Sequence, residues 1–186
     1  MFESGQRIHI NILPRHWYSE IPYIWELRHT DYWKKPYSMF GINGAGQEEQ
    51  IEFLKGCCSD YLIDRQQRGD IYDYACKMNG EKGYGPIESD FLYCFMYVNR
   101  PQKIVQVGCG VSTAVMLLAA QEAGYLPEII CIDPYPTRFL LKAHNLGKIR
   151  LMRNRAELVN LELLTKIGKK GLLFIDSSHV VKVGSE

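Results

Sequence analysis

Asp176 and His179 close the run Leu172-Leu173-Phe174-Ile175-Asp176-Ser177-Ser178-His179, directly after an apolar stretch. Histidine is the side chain whose ordinary pKa suits proton removal near neutral pH. A carboxylate beside it can share that task or help to hold a hard cation. A second carboxylate, Asp133, ends the apolar stretch Glu128-Ile129-Ile130-Cys131-Ile132. There it can accept hydrogen bonds from vicinal hydroxyls. Upstream, Ile104-Val105-Gln106-Val107 runs straight into Gly108-Cys109-Gly110-Val111-Ser112. Glycines one residue apart let main chain approach a ligand closely, and a helix starting there turns its first N–H groups toward that ligand. Together these residues point to a nucleotide-like occupant.

The elements that must position them alternate. The pattern predicts strand 103–107, helix 112–123, strand 128–132, helix 136–146, strand 149–153, helix 157–167 and strand 171–175. Strands separated by helices imply a parallel sheet with right-handed crossovers. The fold class is therefore α/β, a Rossmann-like parallel sheet behind an N-terminal, mainly helical and irregular extension. We place the extension at residues 1–85 and the ligand-binding domain at 86–186. Within the extension, Trp17, Tyr18, Tyr23, Trp25, Tyr32, Trp33, Tyr37 and Phe40 sit among Pro14, Pro22 and Pro36, which interrupt any long helix. These aromatics read as packing, or as a cover for the ligand domain. Helices are expected over 47–67 and 70–78, and a further one from Pro86 to about Asn99, ending before Pro101.

The dinucleotide fingerprint Gly-x-Gly-x-x-Gly is incomplete, because Thr113 occupies the third place. No Gly-Lys-Ser/Thr follows, which excludes a phosphate-binding P-loop. Ser112 and Thr113 offer hydroxyls and helix caps. Asp133 follows Gly110 by 23 residues, near the spacing of a ribose-binding acid. Pro134 and Tyr135 could then form an apolar wall beside a base.

The runs Gln106–Ser112, Cys131–Tyr135 and Leu172–His179 together resemble the class I S-adenosylmethionine-dependent methyltransferases, over about residues 83–186. The third run is similar to the small-molecule branch, whose fourth strand ends in Phe-Ile-Asp-x-x-His. The resemblance implies S-adenosyl-L-methionine as cofactor and a small-molecule methyl acceptor, with methylation at oxygen as one form. It implies cofactor contacts from Gln106, Val107, Gly108, Cys109, Gly110, Ser112, Thr113, Asp133, Pro134, Tyr135, Glu157 and Asp176. His179 and Asp176 become the candidate catalytic base. Glu157 falls where the family contacts adenine, although an acid there also suits the first turn of a helix. Tyr84 and Glu88 could reach the pocket from outside. Asp176 could bind a divalent metal in the metal-dependent branch, but one carboxylate is insufficient and no metal is assigned. Gln106 stands where the family carries an acid. A neutral amide holds a cationic ligand less strongly than a carboxylate does, so weaker cofactor affinity is expected. The family has seven strands and this chain reaches the fourth. A truncated, non-catalytic interaction module is accordingly the alternative, and an NAD-type oxidoreductase comes third because of Thr113.

Composition narrows the field. The chain has 186 residues, 46% of them hydrophobic, and a net charge of +1. That suits a domain with a sizeable core and gives no reason to expect nucleic acid as partner. The basic residues Lys148, Arg150, Arg153 and Arg155 read as a solvated face. Six cysteines form no Cys-x-x-Cys pair, so a zinc site is not expected. His9, His16, His29 and His144 lack ligand spacing. Neither a signal peptide nor a membrane-length apolar run is present, so a reduced, cytoplasmic setting is expected. The apolar strand 171–175 leaves homo-oligomerisation open.

Overall fold

The computed structural model describes residues 4, 6–10, 19, 21–34, 44–58 and 70–179. By compactness the chain divides into two units, Met39–Ser177 and Met1–Ser38 with Ser178–Glu186. The larger unit therefore takes in residues on both sides of position 86.

In the smaller unit, helix α1 (Ile24–His29) is followed by a 3-10 turn at Tyr32–Lys34. Trp25 stacks on His29 one turn later, with ring centroids 4.4 Å apart. The indole of Trp33 donates to the carbonyls of Leu27 and Thr30 at 3.0 and 2.9 Å. These aromatics thus organise their own segment. Trp17, Tyr18, Tyr37, Phe40 and the side chain of Tyr32 lie outside the described residues.

The larger unit contains helices α2 (Gln47–Cys57), α3 (Ile71–Asn79) and α4 (Pro86–Asn99) ahead of the sheet. Residues 59–67 of the expected 47–67 helix fall outside the described residues. Pro86 occupies the first position of α4, where its missing N–H has no helical partner to lose. The helix stops at Arg100, which adopts a left-handed conformation before Pro101.

Then come β1 (Lys103–Val107), α5 (Val111–Glu122), β2 (Glu128–Ile132), α6 (Arg138–Asn145), β3 (Arg150–Met152) and β4 (Gly171–Ile175). All pairings are parallel, in the order β3-β2-β1-β4. Lys103 pairs with Glu128 on one side and Gly171 on the other. The sheet is thus the Rossmann-like arrangement expected, with β1 at its centre and the chain reversing direction of progress around it.

One expectation fails. Residues 157–167 are not a continuous helix but a 3-10 turn at Ala156–Leu158 and a single helical turn, α7, at Glu162–Thr165. Val159 between them is extended, and the Asn160 side chain accepts the Glu162 N–H at 2.9 Å. An Asn that bonds the backbone locally competes with helix continuation.

The main core lies on one face of the sheet. Ile104, Ile129 and Cys131 pack there against Ile71, Leu92, Met96, Val115, Met116 and Leu140. Helix α5 is buried over nearly its whole circumference, between the sheet and helices α3 and α4. A smaller cluster on the other face gathers Val105, Ile130 and Ile132 under the α7 segment. Among the described residues, no helix is long and apolar enough to cross a membrane. The six cysteines are all free thiols.

Candidate functional site

The site grows from the end of β1. Gly108 and Gly110 both have positive φ, +75° and +153°, which side chains rarely adopt. Their missing Cβ atoms make room for protein. A Cβ on Gly108 would collide with the Asp176 carbonyl, and one on Gly110 would stand 3.2 Å from the Asn79 amide nitrogen. The turn is therefore wedged between the end of β4 and the end of α3.

Behind it lies Gln106, fully buried. Its amide nitrogen donates to the Gly108 carbonyl at 3.1 Å and to Ser112 Oγ at 2.7 Å. Its Oε1 accepts from Thr113 Oγ1 at 2.9 Å, and that same hydroxyl oxygen accepts the Gly110 N–H at 3.1 Å. Gln106 thus spends its hydrogen-bonding capacity on shaping the turn. A carboxylate in its place would lose both donors. Thr113 has a matching role: where a third glycine would only allow close packing, its hydroxyl links turn and strand. Ser112 and Thr113 lie inside the helix, whose N-cap is Gly110. The first bond of α5 runs from Ala114 N to Gly110 O. The amides of Val111 to Thr113 therefore precede the helical ladder.

Asp133 follows β2, the neighbour of β1. Its Oδ2 accepts the Cys109 N–H at 3.1 Å and its Oδ1 accepts the Tyr135 N–H at 2.8 Å. One carboxylate thus braces two turns. Pro134 is half-buried, and Tyr135 is exposed. The Cys109 thiol is pushed well above its ordinary pKa, chiefly by burial and then by hydrogen bonding to Cys131. Its protonated form is favoured, and the thiolate is the reactive form of a cysteine.

At the end of β4, Asp176 N donates to Val107 O at 3.0 Å, so Asp176 is adjacent to the turn. Tyr84 packs edge-on against Phe174, 5.7 Å between centroids. Burial, then the carboxylates of Asp176 and Glu88, push its phenol up to about 12. It is a neutral donor at ordinary pH. Glu88 folds back against Gly85 at the start of α4. Glu157, with its side chain 8% exposed, pairs with Arg155 at 2.9 Å beyond β3. His179 is exposed, has φ +55°, and belongs to the smaller unit.

Two residues escaped the sequence reading. Asn79 covers Gly110, and Thr137 donates to its Oδ1 at 2.9 Å while capping α6. Asn79 falls just past the helix expected over 70–78, but nothing in the sequence placed it over the turn. Among the described residues, no group of three His, Cys, Asp or Glu side chains is placed to hold a metal ion.

A glycine turn and an acid stand at the carboxyl ends of adjacent central parallel strands, where open α/β sheets bind ligands. Residues 105–183 match the family described as a methyltransferase domain. Among solved structures, the chain is similar to the S-adenosylhomocysteine-bound methyltransferase PaMTH1 of Podospora anserina, at 16% identity and a TM-score of 0.39. That alignment covers 74% of this chain and 61% of the other. No curated protein matches the chain.

Proposed function

We propose that the protein binds S-adenosyl-L-methionine over the Gly108–Gly110 turn and transfers its methyl group to a small molecule, with oxygen as the favoured acceptor atom. The observation that carries this reading is the 3.1 Å hydrogen bond from Cys109 N to Asp133 Oδ2, which joins turn and acid directly. The residues fit such a ligand. The amides at the start of α5 face an anion well, and Asp133 stands beside the turn as the acid that ribose hydroxyls would meet. Pro134 and Tyr135 border the base, and Glu157 is a further contact on that side.

When bound, the sulfonium supplies an electrophilic methyl group. The chain's own part is to hold and orient. Gln106 fixes the turn without charge, so the cationic end of the ligand meets dipoles rather than a carboxylate there, and affinity is modest. Asp176 is our candidate proton acceptor, on the strength of its place beside the turn. His179, three residues on, is our second candidate. The neutral Tyr84 phenol is suited to donate a hydrogen bond near Asp176.

Calorimetry with S-adenosylmethionine and S-adenosylhomocysteine tests the reading. We expect heat with both. A folded chain at high concentration that gives none would sink it. A second reading draws on β4, the edge of the sheet among the described strands, with Ile175 64% exposed. A chain that binds the cofactor without turnover, and whose mass rises with concentration, would favour an interaction module.

A further inference from the structure

We propose that Asn79 is a positioning residue that locks the turn after β1 to the segment after β2, so that both halves of the site move as one body. Its effect on ligand affinity rests on the function proposed above, whereas the coupling itself does not.

Asn79 is the last residue of α3, 8% exposed. The next residue, Gly80, reverses the chain in a left-handed conformation, φ +83°. This leaves the Asn79 amide projecting across Gly110. Measured from where a Gly110 Cβ would stand, its nitrogen is at 3.2 Å, its oxygen at 3.5 Å and its carbon at 3.6 Å. The three atoms lie at similar distances from that position, so the flat amide spans the space a Gly110 side chain would fill. The other edge of the amide accepts the Thr137 hydroxyl at 2.9 Å. That hydroxyl oxygen in turn accepts the Leu140 N–H at 3.4 Å and begins α6. The Asn79 nitrogen lies 3.5 Å from the Glu81 carbonyl, at the outer limit of a hydrogen bond.

The same two segments are therefore joined twice, once by the Asp133–Cys109 hydrogen bond and once by the Asn79 amide, which packs over Gly110 and is hydrogen-bonded to Thr137. A single tie permits rotation about itself, and a second one at a distance removes it. The geometry also explains why a short amide stands here. Its plane fits against a glycine, and its oxygen reaches the cap. Alanine would free the space over Gly110 and strip the Thr137 hydroxyl of its acceptor. Aspartate would keep the acceptor.

Amide hydrogen exchange by NMR on the ligand-free chain tests the coupling. In Asn79→Ala, exchange at Cys109, Gly110 and Leu140 should quicken together by about tenfold, the scale of one lost hydrogen bond. The amides of Val105 and Ile130 in the sheet should not change. Thr137→Val should produce the same pattern at Cys109 and Gly110, where the double variant should go no further than either single one, and Asn79→Asp should restore slow exchange at Leu140. Unchanged exchange at Cys109 and Gly110 in either folded variant, or effects there that add in the double variant, would overturn the proposal. If Asn79→Ala does not fold, Thr137→Val carries the same test from a half-buried helix start.

Calorimetry with S-adenosylhomocysteine separates the two readings. Wild-type binding with about tenfold weaker binding by Asn79→Ala supports both. Equal affinities in the two chains would remove the positioning role. Coupled exchange in a wild type that binds no S-adenosylhomocysteine would overturn the proposed function and leave the coupling standing.

Discussion

The two faces of the sheet are built from equally apolar residues and end up in different circumstances. Ile104, Ile129 and Cys131 face helices α3 to α6 and are fully enclosed. Val105, Ile130 and Ile132 face the α7 segment, and at β4 that cover gives out, leaving Leu173 and Ile175 exposed at 42% and 64%. Crossovers explain the difference. Progress from β1 to β2 to β3 carries α5 and α6 across one face, and the return to β4 crosses the other. The returning segment has only a 3-10 turn and one helical turn to offer. A strand's burial depends on what its crossover supplies, as much as on its own side chains.

The largest expected effect breaks the enclosed face. Ile104→Ala should cost about 2–5 kcal/mol, as buried large-to-small changes do, seen as a lower guanidinium midpoint with unchanged slope. A loss below about 1 kcal/mol would mean that this face is not tightly packed.

Next comes Gly108→Ala, expected to cost about 1–3 kcal/mol from strained backbone. Positive φ and the Asp176 carbonyl both oppose the added methyl. Undiminished stability would refute the described turn.

Alkaline pH sharpens the contrast further, because the affected groups all belong to the enclosed face. Burial pushes Tyr125 up to about 12, and burial followed by Asp176 and Glu88 does the same to Tyr84. Burial, with Cys58 nearby, pushes Cys94 up to about 12 from 9.0. Each folded pKa exceeds the unfolded one. The stability they contribute is therefore complete below about pH 9 and is lost as pH climbs toward 12. Urea midpoints from pH 8 to 12 should fall over that window, and Tyr84→Phe should lessen the fall.

The smallest effect belongs to the open face: Ile175→Ser should alter stability by no more than about 0.5 kcal/mol. A much larger loss would show that something covers β4 in solution.

Much of the frame was legible. Strands 103–107, 128–132 and 171–175 and the helix 86–99 fall where the sequence put them. Each is a strong apolar run bounded by glycine, proline or an acid, so local chemistry and tertiary packing agree. The helix expected at 157–167 shows the limit. Its apolar spacing was right, since Leu163, Leu164 and Ile167 do pack on the sheet, but the local bonding of Asn160 divided it.

In the site, the sequence by itself determined the glycine turn, the acid after the neighbouring strand and the acid after β4, because each is written into a contiguous strand-and-turn run. Only the tertiary structure decided that Gln106 serves the turn from behind, that Asp133 braces it from the side and that Asn79 covers it. Those roles join residues up to 58 positions apart. Hydrogen bonds over such distances depend on where helices and strands come to rest, and composition and spacing carry no record of that.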